Sequence, residues 1–230
     1  MRSAGNIIII NGASCSGKTT ISRELQALAG KPYLVTGIDD FLPMFPKQYI
    51  GVDQAVQRDG QDWAAPGNRL SAEGYEIVIR MGETGPIINA RCGPVGWSHL
   101  AGMHRAFAAM ARAGSSLIVA DAASAVLMYD YCEALSGLAV HLIGVFCSLE
   151  ELERREAAQA GRGVGAARMQ FEKVHVPGDY DFTVDSETHD AKTCAQMILA
   201  HVENNPPHAF ERLTERYGGV EPSQFPVQTF

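Results

Sequence analysis

Short apolar or β-branched runs punctuate the chain at wide intervals: Ile7–Ile10, Tyr33–Thr36, Leu117–Ala120, Val140–Phe146 and Asp181–Val184. None shows the polar-apolar alternation of a strand with one wet face. Such runs suit strands covered on both faces, as in a parallel sheet. Between them the apolar positions shift to a helical repeat. Ile21, Leu25 and Leu28 form one stripe, closed by Gly30 and Pro32. Leu100, Met103, Phe107 and Met110 form another, with Ser98 at the N-cap position and Gly114 at the end. Ser148-Leu149-Glu150-Glu151 is a capping-box pattern opening a charged helix through Glu156. A further helix is expected from about Asp190 to Val202. Strand and helix alternate, which predicts an α/β fold with a mostly parallel sheet.

Two regions break this rhythm. Residues 42–97 carry Pro43, Pro46, Gly51, Gly60 and Pro66-Gly67, and a connection of that length reads as a lid or a binding loop. Residues 204–230 are Pro-punctuated around one helical piece, Ala209–Tyr217. The expected organisation is therefore one domain over 1–203 with an insertion at about 42–97, then a C-terminal tail over 204–230.

Composition narrows the class. Hydrophobic residues make up 46% and charged residues 20% of 230, which excludes a disordered or fibrous chain. Nineteen Lys+Arg against 26 Asp+Glu give a net charge of -7, the wrong sign for broad attachment to nucleic acid or an anionic membrane. Neither partner is expected, and any bound anion must be caught by a few placed groups. Five cysteines without a C-x-x-C pair fit neither a zinc site nor a disulfide framework. With no signal-type apolar segment at the N-terminus, the expected location is the cytoplasm.

The candidate chemistry starts at Gly12-Ala13-Ser14-Cys15-Ser16-Gly17-Lys18-Thr19, which fits G-x-x-x-x-G-K-[ST] between a predicted strand and a predicted helix. Glycines let the backbone wrap so that successive N–H groups face a polyphosphate. Lys18 would reach the β and γ phosphates, Thr19 would ligate magnesium, and Thr20 closes the candidate nucleotide-binding set. Asp121, ending the run Leu117–Ala120, is the second candidate magnesium ligand, or else a cap for the next helix. Asp39 and Asp40 end a third run, where a carboxylate can take a proton from an attacking hydroxyl or simply shape a turn. Arg162, flanked by Gly161 and Gly163, is placed to close over phosphates, whereas Arg154 and Arg155 suit pairing with nearby glutamates. His141 reads as a buried strand residue. No histidine spacing suggests a metal, and no G-x-S-x-G elbow suggests a hydrolase.

In IIIINGASCSGKTT (7–20), VTGIDDF (35–41), GPVGWSHLAGMHRAFAAMARAGSSLIVAD (93–121), LIGVFCSLEELERREAA (142–158) and QFEKVHVPGDYDFTVDSETHDAKTCA (170–195), the chain resembles the chloramphenicol phosphotransferase-like enzymes, which are small P-loop kinases. That resemblance implies a three-layer α/β/α fold with a five-stranded parallel sheet. It also implies ATP and Mg2+ as cofactors, a small hydroxylated acceptor and Asp39 as catalytic base, with Lys18 and Arg162 beside it. The chain departs from the family's R-G-D-R lid at Gln159-Ala160-Gly161-Arg162, and its segment 42–92 is longer. Rival readings are a kinase of a nucleoside, shikimate-like or nucleotide-sugar acceptor, and a nucleotide-binding sensor without transfer.

The acceptor is read from segment 42–97 and its border. Phe41, Met44, Phe45, Tyr49, Trp63 and Trp97 offer apolar and aromatic surface, either for an acceptor or as core under a long loop. Five Lys/Arg (Lys47, Arg58, Arg69, Arg80, Arg91) face six acids, too few cations for a multiply charged phosphate-sugar. A neutral aromatic alcohol is expected, chloramphenicol first.

Overall fold

The computed structural model describes residues 3–53, 65–66, 69–82, 85–159, 165–176 and 178–217, without the side chains of 53, 65–66, 80–82 and 85–87. In chain order the elements begin β1 (Ile7–Asn11), α1 (Lys18–Leu28), β2 (Tyr33–Gly37), α2 (Ile38–Phe41), β3 (Ile50–Asp53), β4 (Ala65–Pro66), α3 (Arg69–Glu73), β5 (Tyr75–Gly82), β6 (Gly85–Cys92) and α4 (Pro94–Arg112). They continue with β7 (Ser116–Asp121), α5 (Ala125–Ala134), β8 (Val140–Phe146), α6 (Leu149–Ala158), α7 (Ala166–Phe171), β9 (Phe182–Asp185), α8 (Ala191–Asn204) and α9 (Ala209–Tyr217).

β2, β7, β1, β8 and β9 pair in that order into a five-stranded parallel sheet. The central strand explains its own composition. Ile7 and Ile9 point into a core shared with α4, α5 and α9, through residues such as Phe107, Tyr131 and Leu213. Ile8 and Ile10 point the other way, against Ile21 and Leu25 of α1 and Ile198 of α8. Both faces are covered, so all four isoleucines are buried, each contributing about 1.5–3 kcal/mol. The mostly parallel sheet expected from the runs forms, in the three-layer α/β/α arrangement that the resemblance implied.

Several boundaries differ from the sequence reading. α4 begins at Pro94 behind Gly93, four residues before Ser98. Proline suits the first helical position because its ring presets φ and its missing N–H was unpaired there anyway. Ser148 caps α6 by accepting from Glu151 N–H at 3.3 Å, but only half the capping box forms. The Glu151 carboxylate turns to Arg154 and Arg155 instead, and Ser148 N–H donates to Glu187 at 3.0 Å. Asp181 precedes β9 and ties two elements together. It accepts from Leu142 N–H at 2.8 Å and from His208 and Ala209 N–H at 2.6 and 2.8 Å, at the start of α9. Ala209, Phe210 and Leu213 enter the core around β1, so the body continues to Tyr217; residues 218–230 lie outside the described residues.

Segment 42–97 is not one long loop. It builds a second sheet in the order β4-β3-β5-β6, with β3 parallel to β4 and β5, and β5 antiparallel to β6. Phe45 anchors it to the body, edge-on to Tyr49 and Tyr75 and stacked on His99 at 4.9 Å. Gly93 N–H donates to Gly74 carbonyl at 2.8 Å, and a Cβ at Gly93 would lie 2.1 Å from Ala72 carbonyl oxygen, so only glycine fits there.

Candidate active site

The octet Gly12–Thr19 connects β1 to α1 as a phosphate loop. Cys15 (φ 65) and Gly17 (φ 87) are left-handed, the backbone that lets such a loop wrap around an anion, and Ser16 N–H between them donates to Ala13 carbonyl at 3.2 Å. A Cβ at Gly12 would sit 2.7 Å from Val145 carbonyl oxygen, so the loop and β8 approach through glycine alone. Lys18 Nζ donates to Ala13 carbonyl at 2.7 Å, spanning the loop. Ser16 Oγ is buried within it and has no partner among the described residues. Thr19 and Thr20 are exposed on the first turn of α1.

Asp121 lies beside this loop. It is opposite Asn11 in the sheet register, and its carbonyl accepts from Gly12 N–H at 3.3 Å. The carboxylate is buried; Oδ1 accepts from Ala122 N–H at 2.7 Å and Oδ2 from Tyr131 Oη at 2.6 Å. It does not cap α5, whose N-cap is Ser124. Burial and the nearby Asp121 charge hold the Tyr131 phenol well above the usual tyrosine range, so it stays a donor to that carboxylate. The Tyr131 ring stacks on buried His104 at 3.7 Å, and His104 Nδ1 lies 2.5 Å from Asp130, which also takes Arg105 at 3.1 Å.

Asn11 is the hub that composition did not reveal. Its Nδ2 reaches Ala123 carbonyl (3.2 Å), Val174 carbonyl (2.8 Å) and Tyr180 Oη (3.1 Å), while Oδ1 accepts from Ala123 N–H at 2.7 Å. A polar residue closing a four-isoleucine strand was the available signal. Next to it, Tyr180 Oη lies 2.7 Å from His175 Nδ1, and His175 stacks on Phe146 at 3.9 Å. Burial, then the Lys18 charge, push the His175 imidazole down to about 4.

Asp39 and Asp40 separate clearly. Asp40 accepts from Gly37 N–H at 3.0 Å and so caps its own short helix. Asp39 lines a cavity of about 230 Å³ together with Asp121. That cavity is walled by Ile38, Leu42, Leu100 and Leu127 of the body, by Ile50, Tyr75, Ile77 and Ala90 of the second sheet, and by Met169, Gln170, Lys173 and Val174 around α7. Its charges from the second sheet are Glu76 and Arg91, which form an ion pair; buried Glu76 also accepts from Ser71 Oγ at 2.9 Å. Lys173 donates to Asn89 at 2.8 Å, and burial lowers its affinity for a proton.

The aromatic residues expected to form the acceptor surface do not line this cavity. Phe41 packs edge-on to Phe107, Phe45 and Tyr49 pack on each other, Trp97 lies on the main core, and Met44 faces solvent. Phe45 and Tyr49 form an apolar base for the second sheet, whereas Phe41 and Trp97 belong with the main core. Trp63 and Arg162 lie outside the described residues. Arg154 makes the expected surface pair with Glu151, while Arg155 does more. It bonds Glu151 at 2.7 Å, Ser186 carbonyl at 2.7 Å and Cys15 carbonyl at 3.4 Å, bridging α6, the segment after β9 and the phosphate loop.

A phosphate loop between the central strand and α1, with parallel order β2-β7-β1-β8-β9, defines a nucleotide-binding P-loop kinase. The model of the chloramphenicol phosphotransferase-like proteins matches residues 5–203, and the chain belongs to that family. It is a phosphotransferase acting on hydroxyl groups. Two curated relatives from Mycobacterium tuberculosis, named as inferred O-phosphotransferases, are 26% identical over 225 residues, covering 93% of this chain and 89% of each relative. Among solved structures, a sugar kinase from Janibacter sp. superposes with TM-score 0.57 at 16% identity, covering 88% of this chain and 96% of that one. Mycobacterium tuberculosis APS kinase, in complex with AMPPNP and APS, gives 0.54 at 13% identity, covering 88% and 99%. Acinetobacter baumannii shikimate kinase, in complex with shikimate, gives 0.53 at 15%, covering 89% and 96%. These three likenesses show the fold. Among the described residues no helix is long and apolar enough to cross a membrane.

Proposed function

We propose that the protein transfers the γ-phosphoryl group of ATP to a hydroxyl of a small, neutral, largely apolar molecule. The observation that carries this reading is the cavity between the two sheets, which has Asp39 and Asp121 among aliphatic walls and no surplus of cations. An acceptor with several phosphates would need uncommitted arginines there, whereas Arg91 is matched by Glu76. Apolar burial with a few placed polar groups suits an uncharged alcohol.

In this reading Asp39 accepts the hydroxyl proton. The acceptor oxygen bonds to the γ-phosphorus as the bond to the oxygen bridging the β-phosphate breaks, leaving a phosphate monoester and ADP. Lys18 and the phosphate-loop N–H groups hold the negative charge in place. The donor set also fits magnesium. Each Asp121 oxygen makes one hydrogen bond and keeps lone pairs, the Thr19 hydroxyl is exposed on the first turn of α1, and buried Ser16 Oγ leaves a polar requirement inside the loop. Thr19 and Asp121 would hold the ion, which when bound neutralises phosphate charge.

An acceptor panel at saturating ATP tests the assignment, comparing chloramphenicol and related neutral alcohols with nucleosides, shikimate and nucleotide sugars. Turnover is expected with the neutral alcohols. Turnover confined to a charged sugar nucleotide overturns the acceptor assignment, and ATP binding without transfer to any compound overturns the kinase reading.

A further inference from the structure

Gln170 stands where the phosphate loop and the acceptor cavity meet. Its Oε1 accepts from Ser14 N–H at 2.6 Å, and the same side chain lines the cavity beside Asp39 and Asp121. Ser14 is the third residue of the octet and precedes the left-handed turn at Cys15. In a loop of this kind N–H groups after that turn cradle phosphate; here Ser16 N–H donates to Ala13 carbonyl and Ser14 N–H to Gln170. A primary amide has two chemically different ends. With Oε1 committed to the loop, the end left for the cavity is the donor, Nε2.

The surroundings hold Gln170 in place. Ala167, Phe171 and Val174 pack with Ala13 of the phosphate loop and Leu152 of α6. Buried Glu156 accepts from Gly165 and Ala167 N–H at 2.7 and 2.9 Å at the start of α7. Lys173 and Val174 N–H fold back onto the Gln170 carbonyl at 3.0 and 2.9 Å, and the Val174 carbonyl is held by Asn11 at 2.8 Å. The segment is thus tied to the root of the phosphate loop on both sides of Gln170. A glutamine that only decorated a surface would not need such support.

We propose that Gln170 is a further catalytic residue, whose Oε1 fixes the loop at Ser14 while Nε2 donates to an oxygen of the phosphoryl group during transfer. The proposal rests on the kinase reading above. The bonds made and broken are those already written, with Asp39 taking the proton; Gln170 exchanges none and supplies a neutral donor to charge held on the moving group.

Two substitutions separate this role from a latch. Q170E keeps an oxygen for Ser14 N–H but removes the donor and adds negative charge, whereas Q170A removes both ends. With any acceptor the wild type phosphorylates, kcat is expected to fall about 10²-fold in Q170A and at least as far in Q170E. Acceptor KM should stay close to wild type in both, while ATP Kd by calorimetry rises only a few-fold in Q170E from its charge, and Tm falls only slightly in Q170A from the lost Ser14 bond. Wild-type kcat in Q170E, or Q170E more active than Q170A, overturns the proposal and leaves a latch. A loss confined to Kd or Tm overturns it as well. If Q170E does not fold, Q170A decides, and an undiminished kcat refutes the donor. A wild type that binds ATP but phosphorylates nothing refutes the kinase reading and this proposal with it, whereas an active wild type with indifferent variants refutes this proposal alone.

Discussion

The two sheets are built on opposite terms. In the parallel sheet, β1 is covered on both faces and all of Ile7–Asn11 is buried. In the second sheet Ile77, Val78, Ile79 and Ile88 are only half-buried, and its register pairs Glu76 with Arg91 and Ile77 with Ala90 beside the cavity. β1 has little freedom to vary, because its isoleucines pack against helices on both faces. The second sheet has one side against the cavity, so its residues can change without dismantling the body. In the reading proposed above, the phosphate loop therefore sits on the rigid sheet in one contiguous stretch, and acceptor choice falls to a surface assembled from distant parts of the chain.

Changes to the first sheet's loop should strike turnover, and changes to the second should strike acceptor affinity. The largest effect is expected from Lys18→Ala, which removes the cation facing the transferring group. Phosphotransfer should fall by more than about 10³-fold with Tm unchanged, by coupled assay and thermal melt. Retained turnover in the folded variant would dissolve the comparison. Asp39→Asn should lower kcat by about 10²–10⁴-fold with ATP Kd within a few-fold. Asp40→Asn keeps an oxygen to accept from Gly37 N–H and should leave both kcat and Tm nearly intact. The reverse ranking would move the base by one residue. In the second sheet, Arg91→Met leaves Glu76 without its cation. Acceptor KM should rise by about tenfold while ATP Kd does not move, with some loss of Tm; a matching rise in ATP Kd would show that the sheets are not separable.

The smallest effect concerns pH. His175 is held neutral in the fold, down to about 4 by burial and by Lys18, with Tyr180 and Phe146 on its other sides. An unfolded histidine protonates near 6.5, so acid favours the unfolded chain. Stability should therefore fall as pH drops below about 6.5, with this contribution levelling off near 4. The loss should be a few degrees in Tm, and His175→Phe, which keeps an aromatic stack, should shrink that slope to the part left by His99 and His141, which burial also pushes down.

What was legible in the sequence divides along the same line. β1, the phosphate loop and α1 are written consecutively, so Gly12 and Lys18 could be read locally, as could the carboxylates of Asp39 and Asp121 at the ends of apolar runs. The second sheet was not read, because glycines and prolines obscured its strands and β3 pairs with β5 only across an intervening segment. The runs around Ile77-Val78-Ile79 and Ile87-Ile88, separated by glycines, were a hairpin signal within the supposed loop. Gln170, Glu76 and Arg91 were out of reach for another reason. Nothing in a lone Gln, Glu or Arg says what it will face until α7 and the second sheet are folded against the body. The aromatics misled because a ring under a sheet and a ring in a pocket look alike in composition.

α9 gives the molecule a schedule. Phe210 and Leu213 close the same apolar cluster that Ile7 and Ile9 open. A ribosome adding about 5–20 residues per second takes roughly 10–40 s to pass from the first of these positions to the last. Throughout that interval the earliest strand waits with one flank uncovered, at the mercy of whatever else is nearby. Its neighbour β8 also arrives late, long after β1 has left the exit tunnel. A nascent chain halted before residue 209 would therefore keep its phosphate loop and still lack the last residues of its interior.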